Sequence, residues 1–192
     1  MQLHVAVDQL PDNIAGKPIF GRVLRLMQQV VEEGRITLGG LRSSGSVSAD
    51  LERAFSLVGQ ELAASKPVNF RVLVEGSARP LQPILRDEVY RIGREALTNA
   101  FLHARASSIE LELEYAVDRL RVLVLDDGAG IDPDIMTSGR AGHFGLTGMR
   151  ERAERIGAHF KVSSNGRRGT EVDLSVPGHL AFEPHTSTGR AK

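Results

Sequence analysis

The sequence predicts an α+β fold in which a helical hairpin precedes a two-layer α/β sandwich. Three observations predict it. Apolar residues recur at helical spacing over Ile19–Leu41 and again over Leu81–His103. Ile109–Tyr115 alternates apolar residues with glutamates, which is typical of a strand with one wet face. Long amphipathic helices combined with such strands favour antiparallel or mixed strands that are covered by helices on one face.

The composition is that of a globular protein without cysteine chemistry. Of the 192 residues, 41% are hydrophobic and 25% are charged. Lys plus Arg and Asp plus Glu both number 24, so the zero net charge gives no electrostatic indication of a nucleic-acid partner. The absence of cysteine excludes disulfides, thiolate metal sites and cysteine nucleophiles. Because no apolar run approaches the ~20 residues of a membrane span and no signal peptide is recognisable, we expect a cytoplasmic location, with membrane attachment only through upstream segments.

The domain organisation predicted from these patterns has three parts. Residues 1–44 form the hairpin, with a short helix that ends at Pro11 and a long helix over Ile19–Leu41. So few residues cannot enclose a core, so we expect the hairpin to pack on a second copy of the chain as a homodimer, although docking on the next domain is the alternative. After the linker Ser43–Asp50, residues 45–177 form the sandwich, and residues 178–192 form a disordered tail.

The sandwich itself should contain three helices and five strands. In chain order, the predicted elements are a helix over Leu51–Ala64, a strand over Val68–Val74, a helix over Leu81–His103, strands over Ile109–Tyr115 and Leu120–Asp127, a helix over Leu146–Ile156, and strands over His159–Ser163 and Glu171–Val176. Leu120–Asp127 is nearly all apolar before its two aspartates, which predicts a strand covered on both faces or close to it.

The first motif with chemical content lies on the helix that ends near His103. Glu95 and Asn99 are four residues apart, so they lie on one helix face about one turn from each other. Carboxylate and carboxamide oxygens are hard ligands that suit a Mg²⁺ held also by phosphates and water. Taken alone, the pair is also compatible with an ordinary solvated helix face.

The second motif is VLDDGAGID, Val124–Asp132. A strand delivers Asp126 at its end, and Gly128 and Gly130 follow. A buried carboxylate can accept hydrogen bonds from an amino group and a ring imino group, as the edge of adenine offers, and glycines let backbone approach a flat ring. The carboxylate spacing of an EF-hand is missing, which argues against calcium.

The third and fourth motifs follow in the C-terminal part. Ser138–Gly157 contains four glycines that lead into an amphipathic helix, and backbone N–H groups at a helix start favour phosphate oxygens. This stretch is neither a Walker-type loop nor a Rossmann fingerprint, and its glycines would also let it move as a lid. In RRGTEVDL, Arg167–Leu174, the Thr170 hydroxyl can point into the same pocket.

The four motifs, in this order and spacing, resemble the Bergerat-type ATP-binding domain of the GHKL superfamily, which includes histidine kinases, type II topoisomerases, Hsp90-type chaperones and MutL-type repair proteins. The stretches REALTNA and FGLTGMRERA are most similar to the sensor histidine kinases related to nitrate and membrane-fluidity sensors. The resemblance covers Ser48–Pro177 and extends more weakly to residues 1–42, which look like part of a dimerisation and phosphoacceptor hairpin.

The resemblance implies a role for each motif residue. Asn99 would ligate Mg²⁺, Glu95 would act nearby through water or as a proton acceptor, and Asp126 would bind the adenine amino group. The other implied ATP contacts are Thr170 beside Asp126, Gly128 and Gly130 along the base, Gly142, Phe144, Gly145 and Leu146 in the lid and phosphate cradle, and His103 and Arg105 near the phosphates. The implied reaction is transfer of the ATP γ-phosphoryl group to a histidine and then to a response regulator.

Two departures from the family pattern bear on this function. Leu102 stands where the family often has a basic residue, and the ELHD-like acceptor sequence is absent, since His4 is followed by Val5. We therefore expect the acceptor histidine before Met1 and no autophosphorylation by this chain alone. A nucleotide-sensing or inactive dimerisation module with the same fold is the alternative, and a serine kinase of an anti-sigma system is a third.

Overall fold

The computed structural model describes residues 49–64, 67–131, 144–164 and 169–184. The chain divides into two units, Met1–Gly45 and Ser46–Lys192, and the division falls next to the predicted linker. The predicted hairpin, residues 1–44, lies outside the described residues, so the hairpin and the dimer built on it stay predictions.

The second unit is built on one five-stranded sheet. Its strands are β1 (Asn69–Gly76), β2 (Ser108–Tyr115), β3 (Arg119–Asp126), β4 (His159–Ser164) and β5 (Thr170–Pro177). Their order across the sheet is β1-β2-β3-β5-β4, with β1 parallel to β2 and the other pairs antiparallel. The sheet is therefore mixed, which is one of the two arrangements, antiparallel or mixed, that the sequence predicted.

The described helices are α1 (Ala49–Ala63), α2 (Pro83–His103), α3 (Phe144–Arg155) and the short α4 (Gly178–Ala181). Helix α2 joins the parallel strands β1 and β2, and it begins with Pro83, where a missing N–H has no helical partner to lose. Its buried stripe consists of Leu85, Val89, Ile92, Gly93, Ala96, Leu97, Ala100 and Phe101. This stripe contains the apolar positions whose helical spacing predicted the helix, namely Val89, Ile92, Ala96, Leu97, Ala100 and Phe101.

The core lies between the helices and one face of the sheet. The apolar residues of β2 are all buried there, whereas the alternating glutamates lie on the opposite face. On that outer face Arg121 forms two hydrogen bonds to Asp173, of 2.9 and 2.8 Å, and Arg71 pairs with Glu110. In β3, Val122, Leu123 and Val124 are consecutive buried residues, as expected of a strand covered on nearly both faces.

The predicted disordered tail is wrong over residues 178–184. Helix α4 begins directly after β5, and Ala181 and Phe182 are buried. Gln82 N donates to Ala181 O at 3.0 Å, and the Arg79 guanidinium lies 3.8 Å from the centre of the Phe182 ring. The disorder prediction relied on the Gly and Pro content of this stretch and overlooked one aromatic side chain, Phe182, which packs into the core beside α2. Residues 185–192 lie outside the described part.

The described residues include no helix that is both long enough and apolar enough to cross a lipid bilayer.

Candidate functional site

The polar face of α2 lies directly against the first turn of α3. A Cβ atom built on Gly145 would lie 2.5 Å from Glu95 Oε1 and 3.5 Å from Asn99 Nδ2. The first and third motifs, about fifty residues apart in the sequence, are therefore in contact. Both polar side chains are half-buried, and among the described residues neither has a hydrogen-bond or ion-pair partner.

Asp126 is held at the end of β3 by the start of β5 and by its own loop. Its Oδ1 accepts hydrogen bonds from the N–H groups of Gly128 (2.9 Å) and Thr170 (3.2 Å), and the Thr170 hydroxyl also bonds to the carboxylate. Partial burial raises the pKa of Asp126, while these hydrogen bonds act in the opposite direction. The result is a half-buried acceptor of fixed orientation, and the second and fourth motifs meet at it.

Asp127, the second aspartate of the motif, has a structural role that the sequence analysis missed. It is exposed, and it accepts hydrogen bonds from Ser107 N (2.8 Å), Ser108 N (2.8 Å) and Ser107 Oγ (2.5 Å). These bonds, the Ser107 hydroxyl foremost, lower the pKa of Asp127. Asp127 thus links the end of β3 to the start of β2. The two serines at the start of β2 are the sequence feature from which this structural role could have been predicted.

The glycines of the second and fourth motifs bring the loops close to α2 and to β3. A Cβ on Gly128 would lie 2.1 Å from Ala104 O, and the neighbouring Ala129 N donates to the same oxygen at 2.8 Å. Glycine at 128 is therefore required by the C-terminal end of α2, a reason that the sequence did not indicate. Gly169 has a φ of +81°, and its Cβ would lie 1.6 Å from Asp126 O.

These contacts gather the four motifs around the C-terminal half of α2. Asn99 and Ala104 are five residues apart, which is about 7.5 Å along a helix axis. The Glu95–Asn99 pair and the Asp126 loop are thus neighbours rather than opposite ends of the domain. Ser164, which the sequence analysis did not single out, braces this edge, because its hydroxyl accepts from Ile131 N (2.8 Å) and donates to Gly169 O (3.1 Å).

The remaining predicted residues lie around this cluster to differing degrees. His103 and Arg105 are exposed at the C-terminal end of α2, and Arg105 has a φ of +54°. Leu146 is half-buried in the first turn of α3, and Phe144 is the residue at which α3 begins. Gly130 has a φ of +76°. Gly142 lies outside the described residues.

The donor set at Glu95 and Asn99 fits a magnesium ion that brings most of its own ligands. Within the described residues there is no group of three or more His, Asp or Glu side chains that could hold a metal. The half-buried pair supplies at most one carboxylate and one amide oxygen. Mg²⁺ is commonly bound in this way, through one or two protein oxygens together with substrate phosphates and water.

Comparison with known proteins identifies the family. The profile of the histidine kinase-, DNA gyrase B-, and HSP90-like ATPases (HATPase_c) matches residues 85–180, which is half of the chain. The chain belongs to this ATPase family. The matched range runs from α2 through the Asp126 loop and α3 to α4, so it contains all four motifs. Membership confirms the predicted two-layer sandwich and implies ATP binding.

Curated relatives of this HATPase_c chain are sensor kinases. It is 32% identical to the sensor histidine kinase LiaS of Bacillus subtilis over 117 residues, which are 61% of this chain and 31% of LiaS. It is 29% identical to the oxygen sensor histidine kinase NreB of Staphylococcus carnosus over 170 residues, 88% of this chain and 47% of NreB. The chain therefore spans less than half the length of these relatives. The resemblance to sensor histidine kinases is confirmed.

Solved structures agree with this assignment. The Erythrobacter litoralis EL346 blue-light activated histidine kinase matches with 27% identity and a TM-score of 0.55, over 68% of this chain and 41% of that one. Its separate histidine kinase domain matches with 22% identity and a TM-score of 0.60, over 93% and 94% of the two chains, which shows a shared fold.

Proposed function

We propose that this chain is the ATP-binding catalytic part of a two-component sensor histidine kinase. In this proposal the γ-phosphoryl group of ATP is transferred to a histidine and then to a response regulator. One observation carries it: the half-buried Glu95–Asn99 pair and the fixed Asp126 acceptor adjoin the same helix end, with the first turn of α3 beside them. That arrangement suits a nucleotide whose base and phosphates are held by different motifs.

The Asn99 amide oxygen would hold Mg²⁺, and Glu95 would act next to it through water or as a proton acceptor. When bound, Mg-ATP supplies the phosphoryl group and the metal that neutralises the charge developing on it. The protein supplies positioning. Support for this assignment comes from two half-buried polar side chains on one helix face that have no partner in the described part of the chain, so their oxygens are available to a metal.

Asp126 would accept a hydrogen bond from the adenine amino group, with Thr170 beside it and Gly128 and Gly130 along the base. Two backbone N–H groups already fix the Asp126 carboxylate, so little orientation entropy remains to be lost on binding. At the other end, Gly142, Phe144, Gly145 and Leu146 would cradle the phosphates at the start of α3. His103 and Arg105, both exposed, are further proposed phosphate contacts.

The proposed partners are a response regulator and a second copy of this chain. Dimerisation would use the predicted helices in residues 1–44, and phosphoryl transfer would require an acceptor histidine on such a hairpin. This activity places the domain in the cytoplasm, where ATP and response regulators occur together.

Calorimetric titration with the β,γ-imido analogue of ATP tests nucleotide binding. We expect nucleotide binding to require Mg²⁺. Asn99→Ala should abolish this binding, because the substitution removes the amide oxygen that is proposed to hold the metal. Asn69→Ala, at the exposed start of β1, is the matched control and should bind like the wild type. Equal binding by the wild type and Asn99→Ala would contradict the proposed metal site.

Phosphoryl transfer needs its own test, because a nucleotide-sensing module with the same fold is the second candidate. Leu102, 36% exposed near the end of α2, offers no charge to a phosphate, and this favours the second candidate. The protein is incubated with Mg-ATP and a helical hairpin that carries an acceptor histidine, and phosphohistidine is measured. Phosphohistidine that disappears with Asn99→Ala supports the kinase, whereas nucleotide binding without phosphohistidine supports the sensor.

A further inference from the structure

Four polar residues form one strip along α2, at spacings of three, four and four: Glu88, Arg91, Glu95 and Asn99. Helix α3 contacts this strip at two places. Gly145 lies against Glu95, and Arg152 Nη1 donates to Glu88 Oε2 at 3.1 Å. Residue numbers rise from 145 to 152 along α3 while those of the contacted residues fall from 95 to 88 along α2, so α3 runs antiparallel to α2 along the strip. Arg91 therefore lies opposite the middle of α3.

Arg91 is a cation without a counter-ion in the described part of the chain. Its Nε atom is buried and has no hydrogen-bond partner there. The three carboxylates within one turn of it on its own helix do not pair with it: Asp87 bonds to Arg86, Glu88 is paired with Arg152, and Glu95 lies against Gly145 without an ion pair to Arg91. A buried donor that is left without a partner destabilises the fold, and more so when it is charged. This cost points to an anion that arrives from outside the chain.

Space for such an anion exists on the facing side of α3. Gly148 follows Gly145 by one turn and precedes Arg152 by one turn, so all three lie on the same face of α3. Among the described residues, a Cβ on Gly148 would meet no atom within 4 Å, whereas a Cβ on Gly145 would meet Glu95. The groove between α2 and α3 is therefore closed at Glu95 and open at the level of Arg91.

We propose that Arg91 is a further binding residue for ATP, and that it holds the terminal phosphate in the groove beside Gly148. This inference rests on the proposed function. Arg91 is four residues from Glu95, about 6 Å along the helix axis, and lies on the side away from the Asp126 loop. A nucleotide whose base is at Asp126 and whose metal is at Asn99 therefore extends its phosphates toward Arg91. A guanidinium is well suited to that role, because its planar donors match phosphate oxygens.

The test compares nucleotides that differ only in the terminal phosphate. Calorimetry in the presence of Mg²⁺ gives the dissociation constants of ADP and of the β,γ-imido analogue of ATP. The proteins compared are the wild type, Arg91→Gln and Arg91→Lys. For Arg91→Gln we expect ADP affinity to be retained and affinity for the ATP analogue to fall about tenfold, the loss of one charge-assisted hydrogen bond. Arg91→Lys keeps the charge without the planar donors, so its affinity for the ATP analogue should lie between that of the wild type and that of Arg91→Gln.

Arg86→Gln is the matched control. Arg86 is on the same helix, about 140° around it from Arg91, and bonds to Asp87 rather than to a member of the strip, so its substitution should leave the ratio of the two affinities unchanged. Retained ADP binding also shows that each variant is folded. An unchanged ratio in Arg91→Gln, or an equal loss for both nucleotides, would overturn the proposal for Arg91. Failure of the wild type to bind either nucleotide would instead refute the proposed function.

Discussion

Asp126→Asn separates the contribution of this residue to folding from its contribution to binding. Burial raises the pKa of Asp126, so folding disfavours its charged form. A group of this kind contributes stability below its unfolded pKa, and that contribution is lost as the pH rises through the higher folded pKa. At neutral pH the native state therefore carries the cost of the charge. Asparagine keeps an acceptor oxygen for Gly128 N and Thr170 N and removes the charge.

The two expected effects have opposite signs. At pH 7, Asp126→Asn should be at least as stable as the wild type, with a gain of no more than about 1 kcal/mol for a half-buried carboxylate. Nucleotide affinity should fall, because the adenine amino group loses a charged acceptor. A hydrogen bond to a charged group contributes about 1.5–3 kcal/mol, which corresponds to roughly a ten- to hundredfold loss in affinity.

Two assays measure these effects in the same preparation. Guanidinium unfolding at pH 7 and below pH 4 gives the free energy of unfolding, and the difference between variant and wild type should vanish at the lower pH. Calorimetry with ATP and with inosine triphosphate, which carries a 6-oxo group, gives the base preference. We expect the variant to lose its preference for ATP, because an asparagine NH₂ can donate to the oxo group.

Asp173→Asn is the control for this experiment. It removes a carboxylate that is paired with Arg121 on the outer face of the sheet, so the free energy of unfolding should fall while the base preference stays unchanged. A variant at position 126 that loses more than about 2 kcal/mol of stability and still prefers ATP would refute the reasoning, because Asp126 would then be a structural residue like Asp127.

Three further substitutions test the neighbouring contacts. Asp127→Ala should lower the free energy of unfolding by about 1–2 kcal/mol at pH 7. Because folding lowers the pKa of Asp127, this contribution is present above the unfolded pKa of ~3.9 and is lost as the pH falls through the folded pKa. Unfolding curves at pH 7 and pH 3 measure this loss. Gly169→Ala should destabilise by more than about 2 kcal/mol, since the methyl group would overlap Asp126 O at a positive φ, and an unchanged melting temperature would contradict this. Gly145→Ala should leave the unfolding free energy within about 1 kcal/mol, because the Glu95 side chain can turn away, but should weaken Mg²⁺-dependent nucleotide binding in calorimetry.

The sequence was sufficient to predict the elements of the sandwich, because each carries its own periodicity. The α2 stripe and the alternation in β2 are local patterns, and the structure reproduces both. The motifs on these elements could be found for the same reason. Glu95 and Asn99 are one turn apart on any helix, whatever surrounds it.

Contacts between distant segments could not be predicted in this way. The sequence does not show that Gly128 lies against Ala104, or that Asp127 accepts bonds from Ser107 and Ser108, because these depend on how β2, β3 and α2 pack together. Phe182 was missed for a related reason. A single aromatic residue among Gly and Pro has no periodicity, and its burial and its bridge to Leu81 become visible only in the structure.

Three polar side chains on one face of α2 have no partner among the described residues, and their arrangement supports the candidate site. Asp127, Asp173 and Glu88 all have partners, so each is accounted for by the fold. Among the described residues, Glu95 and Asn99 have none, and the buried Nε of Arg91 has none either. The other buried polar atom without a partner among the described residues, Tyr115 Oη, lies at the end of β2, whereas Arg91, Glu95 and Asn99 follow one another at a spacing of one turn on one face of α2. Folding stability does not explain why they are there, and a charged ligand that binds along that face does.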